Sequence, residues 1–397
     1  MASLLSYEQA LATVLGACAP VGTERIPLAA ARGRVLALAP AVGDPIPPFA
    51  NSAMDGFAVA ARDVPPRGGR LPLGAPVPAG TAPPPLRSGH AVPIGTGGAI
   101  PAGADAVVPV EDAVTDGATV TFGGAVAVGA HVRPAGSDLP SGPSPLRTGV
   151  PLDPADGALL ATVGATEVEV FRRPLVAILA TGQELVPPER APGPAQIRDS
   201  NSTALAWAIA RLGARVEMLG IAPDEYGPLR EHLERALDAD VVVTSAGVSV
   251  GERDLVRRAL GDLGVEARFW GVDMKPGKPV AFGMAGTTPV LSLPGNPAST
   301  LVASALIAEP AVRRRGGWAS PGPAVEHATA TGAWPAPERR LHAVRCTRFE
   351  DGARATVTPT GDQRSHRIGS MVGADALALV EPGRQVVPGE SVRVTRL

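Results

Sequence analysis

The stretch Asp240-Val241-Val242-Val243-Thr244-Ser245-Ala246-Gly247-Val248-Ser249-Val250-Gly251-Glu252-Arg253-Asp254 passes from a β-branched apolar run through small residues into an amphipathic segment. A short Val-rich run suits a strand buried on both faces, and the small residues after it suit a tight turn that opens a helix. The same order repeats on both sides of it. Strands are expected over Leu175 to Ala180, Arg215 to Ile221, Asp240 to Thr244, Ala267 to Val272 and Val290 to Leu293. Helical spacing appears over Thr203 to Leu212 behind the capping residues Asn201 and Ser202, then over Pro228 to Leu237, Asp254 to Leu263 and Ala298 to Ala308. Alternation of this kind means a parallel α/β sheet. A shorter run, Val280 to Gly283, is expected to pair with Val290 to Leu293 across the Gly286-Thr287-Thr288 turn.

Outward from this core the pattern changes. Ser6 and Gln9 form a capping box ahead of Ala10, Leu11, Val14 and Leu15, which predicts an opening helix. From Asp44 to about Arg147 short apolar runs are broken by Pro and Gly, as in Ala104 to Val110 and Ala118 to Phe122, and read as a β-rich domain inserted in the first one. Gly149 to Glu169, with Ala158, Leu159, Leu160 and Val163 at helical intervals, returns the chain to that first domain. After about Pro321 the alternating segments Leu341 to Phe349, Ala355 to Thr358, Ala376 to Val380 and Ser391 to Val394 read as a small β-barrel or sandwich.

A chain of 397 residues exceeds what one core serves. Its 45% hydrophobic and 19% charged residues are those of a globular protein, with 47 glycines and 43 prolines favouring turns over aromatic packing. A net charge of -2 leaves no basic field for a nucleic-acid backbone. No stretch has the length of a membrane span or the layout of a signal peptide, so a cytoplasmic protein with no membrane partner is expected. Cys18 and Cys346 lack metal or disulfide spacing and read as reduced, partly buried thiols. His90, His131, His232, His327, His342 and His366 show no ligand spacing, and Arg313-Arg314-Arg315 reads as a solvated run past a helix.

In an open parallel sheet, ligands bind outside the carboxyl ends of the strands. The polar motifs fall there: Thr181-Gly182-Gln183-Glu184, Pro223-Asp224-Glu225, Ser245 to Asp254, Lys275-Pro276-Gly277-Lys278-Pro279 and Pro294-Gly295-Asn296-Pro297. Ser245, Gly247, Ser249 and Gly251 lie in a small-residue loop whose amides can approach an anion at a helix start. Lys275 and Lys278, in a Pro-stiffened loop, suit a multiply charged anion, and Pro294, Gly295 and Asn296 add a further loop to the rim. Glu184, Asp224 and Asp254 beside such an anion imply a bridging hard cation, Mg²⁺. There is no Walker A motif and no G-x-G-x-x-G after a strand.

These motifs, taken in order, resemble one family. Pro47-Pro48-Phe49-Ala50-Asn51-Ser52-Ala53-Met54-Asp55-Gly56-Phe57-Ala58-Val59 is similar to the N-S-A-M-D-G signature of the molybdopterin molybdenumtransferases, which include the E domain of the animal protein gephyrin. Ile94-Gly95-Thr96-Gly97, Ala104 to Val108, Arg133 to Asp138, the α/β motifs and Gln363-Arg364-Ser365-His366 with Gly369-Ser370-Met371 continue the resemblance over nearly the whole chain. It implies four domains: an N-terminal α+β domain over 1–45 and 141–172, an inserted β-rich domain over 46–140, a central Rossmann-like parallel α/β domain of molybdopterin-binding type over 173–320, and a small C-terminal β-barrel over 321–397.

The resemblance also implies a homodimer that inserts molybdate, its substrate, into adenylylated molybdopterin with Mg²⁺ and releases AMP, with the upstream adenylyltransferase as a further partner. Its catalytic residues would be Asp55, Asp138, Glu184, Asp224, Asp254 and Lys275, with Thr96 and either Ser365 or Ser370 binding substrate and Asp55 supplied across the dimer. Ala246, Gln183 and Ala50 depart from the family pattern. Gly271 stands where some members carry a lysine, which implies compensation by Arg253 or a different oxyanion such as tungstate. The alternatives are the adenylyltransferase itself, which shares the α/β domain, and an inactive scaffold.

Overall fold

The computed structural model describes residues 4–78, 80–246, 253–352 and 354–397, the side chains of residues 253 and 254 excepted. The chain divides into two compact units, one of residues 1–38, 147–157 and 166–397, the other of residues 39–146 and 158–165.

In the first unit the opening helix, Tyr7–Ala17, is closed by the expected box: Gln9 N–H donates to Ser6 Oγ at 3.2 Å and Ser6 N–H to Gln9 Oε1 at 3.0 Å. Such a cap is worth about 1 kcal/mol. Tyr7, Ala10 and Val14 face the core. A three-stranded antiparallel sheet follows, in which Glu167–Phe171 lies between Thr23–Pro27 and Leu36–Leu38.

The α/β layer is built on β1 (Leu175–Thr181), β2 (Arg215–Ala222), β3 (Val241–Ser245), β4 (Glu266–Trp270), β5 (Ala281–Ala285) and β6 (Thr288–Leu293), in the spatial order β2-β1-β3-β6-β5-β4. Val176, Ile178, Val241, Val243 and Leu291 pack on one face and Ala177, Leu179, Val242 and Val290 on the other. Burial on both faces is why these strands read as unbroken apolar runs. Each fully buried Val or Leu contributes roughly 1.5–3 kcal/mol before entropy is subtracted. Helices α1 (Asn201–Ala210), α2 (Tyr226–Ala236) and α3 (Arg253–Asp262) alternate with the strands.

The sheet is mixed: the β5–β6 hairpin is the one expected, and only the antiparallel placement of β4 departs from the parallel order. β2, β1, β3 and β6 are parallel, but β5 pairs antiparallel with β6 and β4 antiparallel with β5. The two-residue turn at Gly286 and Thr287 forces the first reversal, and Gly286 supplies the φ of +57° it needs. Two reversals return β4 to the direction of β6, so the loop after β4 still opens on the carboxyl edge.

The helix expected over Ala298 to Ala308 continues to Arg315 in three segments: Pro297–Ala303, a π-helical turn Ser304–Ala308, and Glu309–Arg315. Pro310 has no N–H for the Leu306 carbonyl, and losing that bond permits the wide turn. The arginine run is not the solvated feature expected. Arg315 is buried, Arg314 Nε donates to Cys18 O at 3.2 Å and an Arg315 guanidinium N–H to Ala19 O at 2.8 Å, so the run caps the end of the opening helix.

The C-terminal strands β7 (Val325–Ala330), β8 (Leu341–Asp351), β9 (Arg354–Pro359), β10 (Ala376–Val380) and β11 (Ser391–Arg396) close in the order β8-β9-β7-β11-β10-β8, a five-stranded barrel rather than a sandwich. Each of the five has a neighbour on both sides, and Met274–Lys275 adds to the start of β8.

The second unit holds two small antiparallel sheets, Val92–Ile94/Gly56–Val59/Ala106–Pro109 and Gly69–Pro72/Thr119–Phe122/Ala113–Thr115, and the short pair Asn51–Ser52/Val132–Arg133. Phe57, Val59, Val108, Val120 and Phe122 form one of its cores.

Candidate active site

At the carboxyl edge, one side chain ties the start of α1 to the end of β3 and to the loop after β6, three places far apart in sequence. Asn201 Nδ2 donates to Ser245 Oγ and to Gly295 O, both at 2.8 Å, and Asn201 and Ser245 are buried. Ala246 N–H then donates to Leu293 O at 3.1 Å. Ala246 has φ +71°, a left-handed conformation that costs an alanine roughly 1 kcal/mol and is normally taken by glycine. A Cβ built on Gly295 would stand 3.3 Å from the Ala246 methyl, so the two loops meet as closely as a glycine allows. Gly247, Ser249 and Gly251 lie outside the described residues.

Asn201 was expected as a helix cap. It sits inside the first turn of α1, and Asp199 does the capping, its Oδ1 accepting from Ser202 N–H at 3.1 Å. Its bridging role was missed because both partners are distant in the chain. Asn, in the first turn of a helix and able to donate through its amide, was the available signal.

The acidic rim is built on the loop after β1. Gln183 N–H donates to Asp224 Oδ2 at 3.1 Å. Glu184 folds back over Gly182, whose φ is +142° and where a Cβ would stand 2.7 Å from Glu184 Oε2. The positive φ favours glycine at 182, whereas the Glu184 carboxylate could swing aside. Among the described residues no three His, Cys, Asp or Glu side chains gather to hold a metal, and the Asp254 side chain is not described. The Gln183 bond brings Asp224 to the loop that carries Glu184.

Lys275 is exposed in the short strand that pairs with β8, in register with His342. Burial, and then the Lys275 charge, lower the pKa of His342 and favour its neutral form. Lys278 is also exposed, and its carbonyl accepts from Val272 N–H at 2.9 Å. Gly271 has φ +98°, and a Cβ there would stand 2.5 Å from Leu4 Cδ2. Leu4 can move aside, but φ +98° strains any residue other than glycine, so the backbone conformation disfavours a lysine here.

The two candidate serines part company. Asn296 Nδ2 donates to Ser365 Oγ at 3.3 Å, which brings Ser365 to the Pro294-Gly295-Asn296 loop. Ser370 is buried, accepts from Arg345 Nε at 2.9 Å and donates to Arg367 O at 2.6 Å. Arg345, fully buried in β8, also donates to the carbonyls of Asp362 and Arg364, so Ser370 serves the frame that shapes this loop. The reading of β8 as a plain alternating strand overlooked Arg345.

In the second unit, Asp55 Oδ1 accepts from Thr96 N–H at 2.6 Å and from Thr96 Oγ1 at 2.8 Å. These two bonds, the backbone one first, hold the exposed Asp55 carboxyl below the usual carboxylate range. Ser52 pairs with the glycine turn, its N–H donating to Gly98 O at 2.9 Å and its carbonyl accepting from Gly97 N–H at 2.8 Å. The N-S-A-M-D-G loop and the Gly95 to Gly98 loop are thus one structure. Asp138 is exposed, with its N–H donating to Ile46 O at 3.0 Å.

Three family models match consecutive parts of the chain: the MoeA N-terminal region (domains I and II) at residues 5–164, a probable molybdopterin binding domain at 177–314 and the MoeA C-terminal region (domain IV) at 327–397. The molybdopterin molybdenumtransferase 2 of Mycobacterium tuberculosis is 34% identical and covers 99% of each chain. The chain belongs to the molybdopterin molybdenumtransferase (MoeA) family. A molybdopterin molybdenumtransferase of a Nostoc species is 38% identical over 75% of this chain and 70% of its own. Two crystal structures of a molybdopterin biosynthesis MoeA protein from Pyrococcus horikoshii align with TM-scores of 0.84 and 0.85 at 31% and 27% identity, one covering 99% and the other 100% of both chains. The mixed sheet and closed barrel are therefore the MoeA fold, and no helix among the described residues is long and apolar enough to cross a membrane.

Proposed function

We propose that this protein is a molybdenum insertase: it transfers molybdenum from molybdate into adenylylated molybdopterin and releases AMP. The observation that carries the reading is the full-length match to a relative named molybdopterin molybdenumtransferase, 34% identical over 99% of both chains. The Asn201 bridge supports it from the structure, since it joins Ser245, the residue from which the small-residue loop departs, to the Pro-Gly-Asn loop on the edge where anions bind. The four domains are 1–45 with 141–172, 46–140, 173–320 and 321–397.

Lys275 and Lys278 hold the pyrophosphate and molybdate oxygens, with Ser245, Gly247, Ser249, Gly251, Pro294, Gly295, Asn296 and Ser365 shaping the pocket. Glu184 and Asp224, with Asp254, would hold Mg²⁺, which would supply positive charge beside the leaving AMP phosphate. The working unit is a cytoplasmic homodimer in which Asp55 of the partner subunit, kept ionised by Thr96, orients the attacking oxygen, with Asp138 on the same unit. The adenylyltransferase that makes the substrate is its natural partner.

Purified protein given adenylylated molybdopterin, Mg²⁺ and molybdate should release AMP and incorporate molybdenum together. Pyrophosphate release from ATP and unmodified molybdopterin would instead make it the adenylyltransferase. No turnover in either assay would make it a scaffold.

A further inference from the structure

Helix α1 carries Asn201 at its start and Arg211 just past its end, about 15 Å apart at the helical rise per residue. Its core-facing side chains are Leu205, Ala206 and Ile209, and most of the rest is alanine, at 204, 208 and 210. Only two large side chains therefore key α1 into the core. Apolar contact is non-directional, so this packing sets the distance of α1 from the sheet more firmly than its slide along its own axis. The axial position is left to polar ties. At the amino end these are the Asp199 cap and the Asn201 bridge. At the carboxyl end a guanidinium N–H of the half-exposed Arg211 donates to Glu309 Oε2 at 2.9 Å, and Glu309 is buried. A charge-assisted bond to a buried carboxylate is directional and little screened by salt. Glu309 is itself anchored. Arg313 donates to the same oxygen at 3.2 Å and lies over the Trp318 ring, 5.8 Å from its centroid, while the end of that helix is bonded to the carbonyls of Cys18 and Ala19.

We propose that Arg211 is a positioning residue for the carboxyl-edge site: bound to Glu309, it holds α1 in axial register and so sets where the Asn201 amide meets Ser245 and Gly295. It touches no group proposed to meet substrate and acts through Asn201, from the opposite end of the helix. Its effect on turnover rests on the insertase reading, whereas the mechanical tie does not. Arg211→Met is the clean perturbation, because Arg313 still compensates Glu309 and no buried charge is stranded.

Hydrogen exchange of the full chain reads the tie directly. Peptides covering Thr244 to Ala246 and Leu293 to Asn296 should exchange severalfold faster in Arg211→Met, as in Asn201→Ala, while β1 keeps its wild-type protection. In AMP-release kinetics Arg211→Met should lower kcat/KM about three- to tenfold, Arg211→Lys should recover part of the loss, and Arg211→Met added to Asn201→Ala should cost less than about twofold more, since the path through Asn201 is already cut. Independent perturbations this far apart would multiply instead. Multiplying effects, or wild-type exchange of both peptides in Arg211→Met, overturn the inference. A wild-type protein that releases no AMP removes the insertase reading alone, and the exchange comparison then decides the tie by itself.

Discussion

Replacing Asn201 by alanine should loosen the carboxyl-edge site without touching any group proposed to meet substrate. The mutation removes two hydrogen bonds of 2.8 Å. A net contribution of about 1 kcal/mol each is typical, and stranding the buried Ser245 hydroxyl adds about 1–2 kcal/mol, for a total near 3–4 kcal/mol. In an α/β domain of this size that is a fall of roughly 5–15 °C in its melting transition. The Ser245 and Gly295 loops stay side by side through the β3–β6 pairing and the Ala246 N–H to Leu293 O bond but lose their side-chain tie to α1, so kcat/KM for metal insertion should fall at least tenfold. Asn201→Asp keeps the shape but turns an oxygen toward the Gly295 carbonyl, and it should lose activity at least as severely. Differential scanning calorimetry and the AMP-release assay read the two effects. A melting temperature within about 2 °C of wild type together with undiminished kcat/KM would refute the bridge as the element that assembles the site.

Thr96→Val removes the side-chain donor to Asp55. The Asp55 pKa is depressed in the folded protein, so its charge is present above the ordinary carboxylate range and is lost as pH falls through the lowered value. The variant's pKa moves up, and the acid limb of its rate profile should shift to higher pH while the alkaline limb stays. Gly271→Lys places a side chain at φ +98° against Leu4 and should destabilise the protein by about 1–3 kcal/mol with no gain in molybdate affinity, measured by denaturation and equilibrium binding. Ser365→Ala should lower kcat/KM with little change in melting temperature, whereas Ser370→Ala, which leaves buried Arg345 short of a partner, should lower melting by several degrees. Equal melting of the two variants would remove the distinction.

Much of this protein is legible in one dimension, because hydrophobic periodicity and caps are local. The Ser6 box, the apolar runs of β1 and β3 and the edge on which polar loops gather all follow from neighbours a few residues apart. Even the hairpin of β5 and β6 was visible in its turn. Tertiary structure alone decided which side chains meet. Asn201 reaches partners 44 and 94 residues away and Thr96 reaches Asp55 across 41, separations at which no spacing rule operates. The same holds for burial: Ser365 and Ser370 are indistinguishable by residue type, yet one meets Asn296 and the other is spent on a buried arginine. Gly271 and Ala246 carry their meaning in φ, which the surrounding packing imposes. Local sequence determines what each segment can become, while the free energy that selects one contact among many comes from desolvating groups brought together by the whole fold.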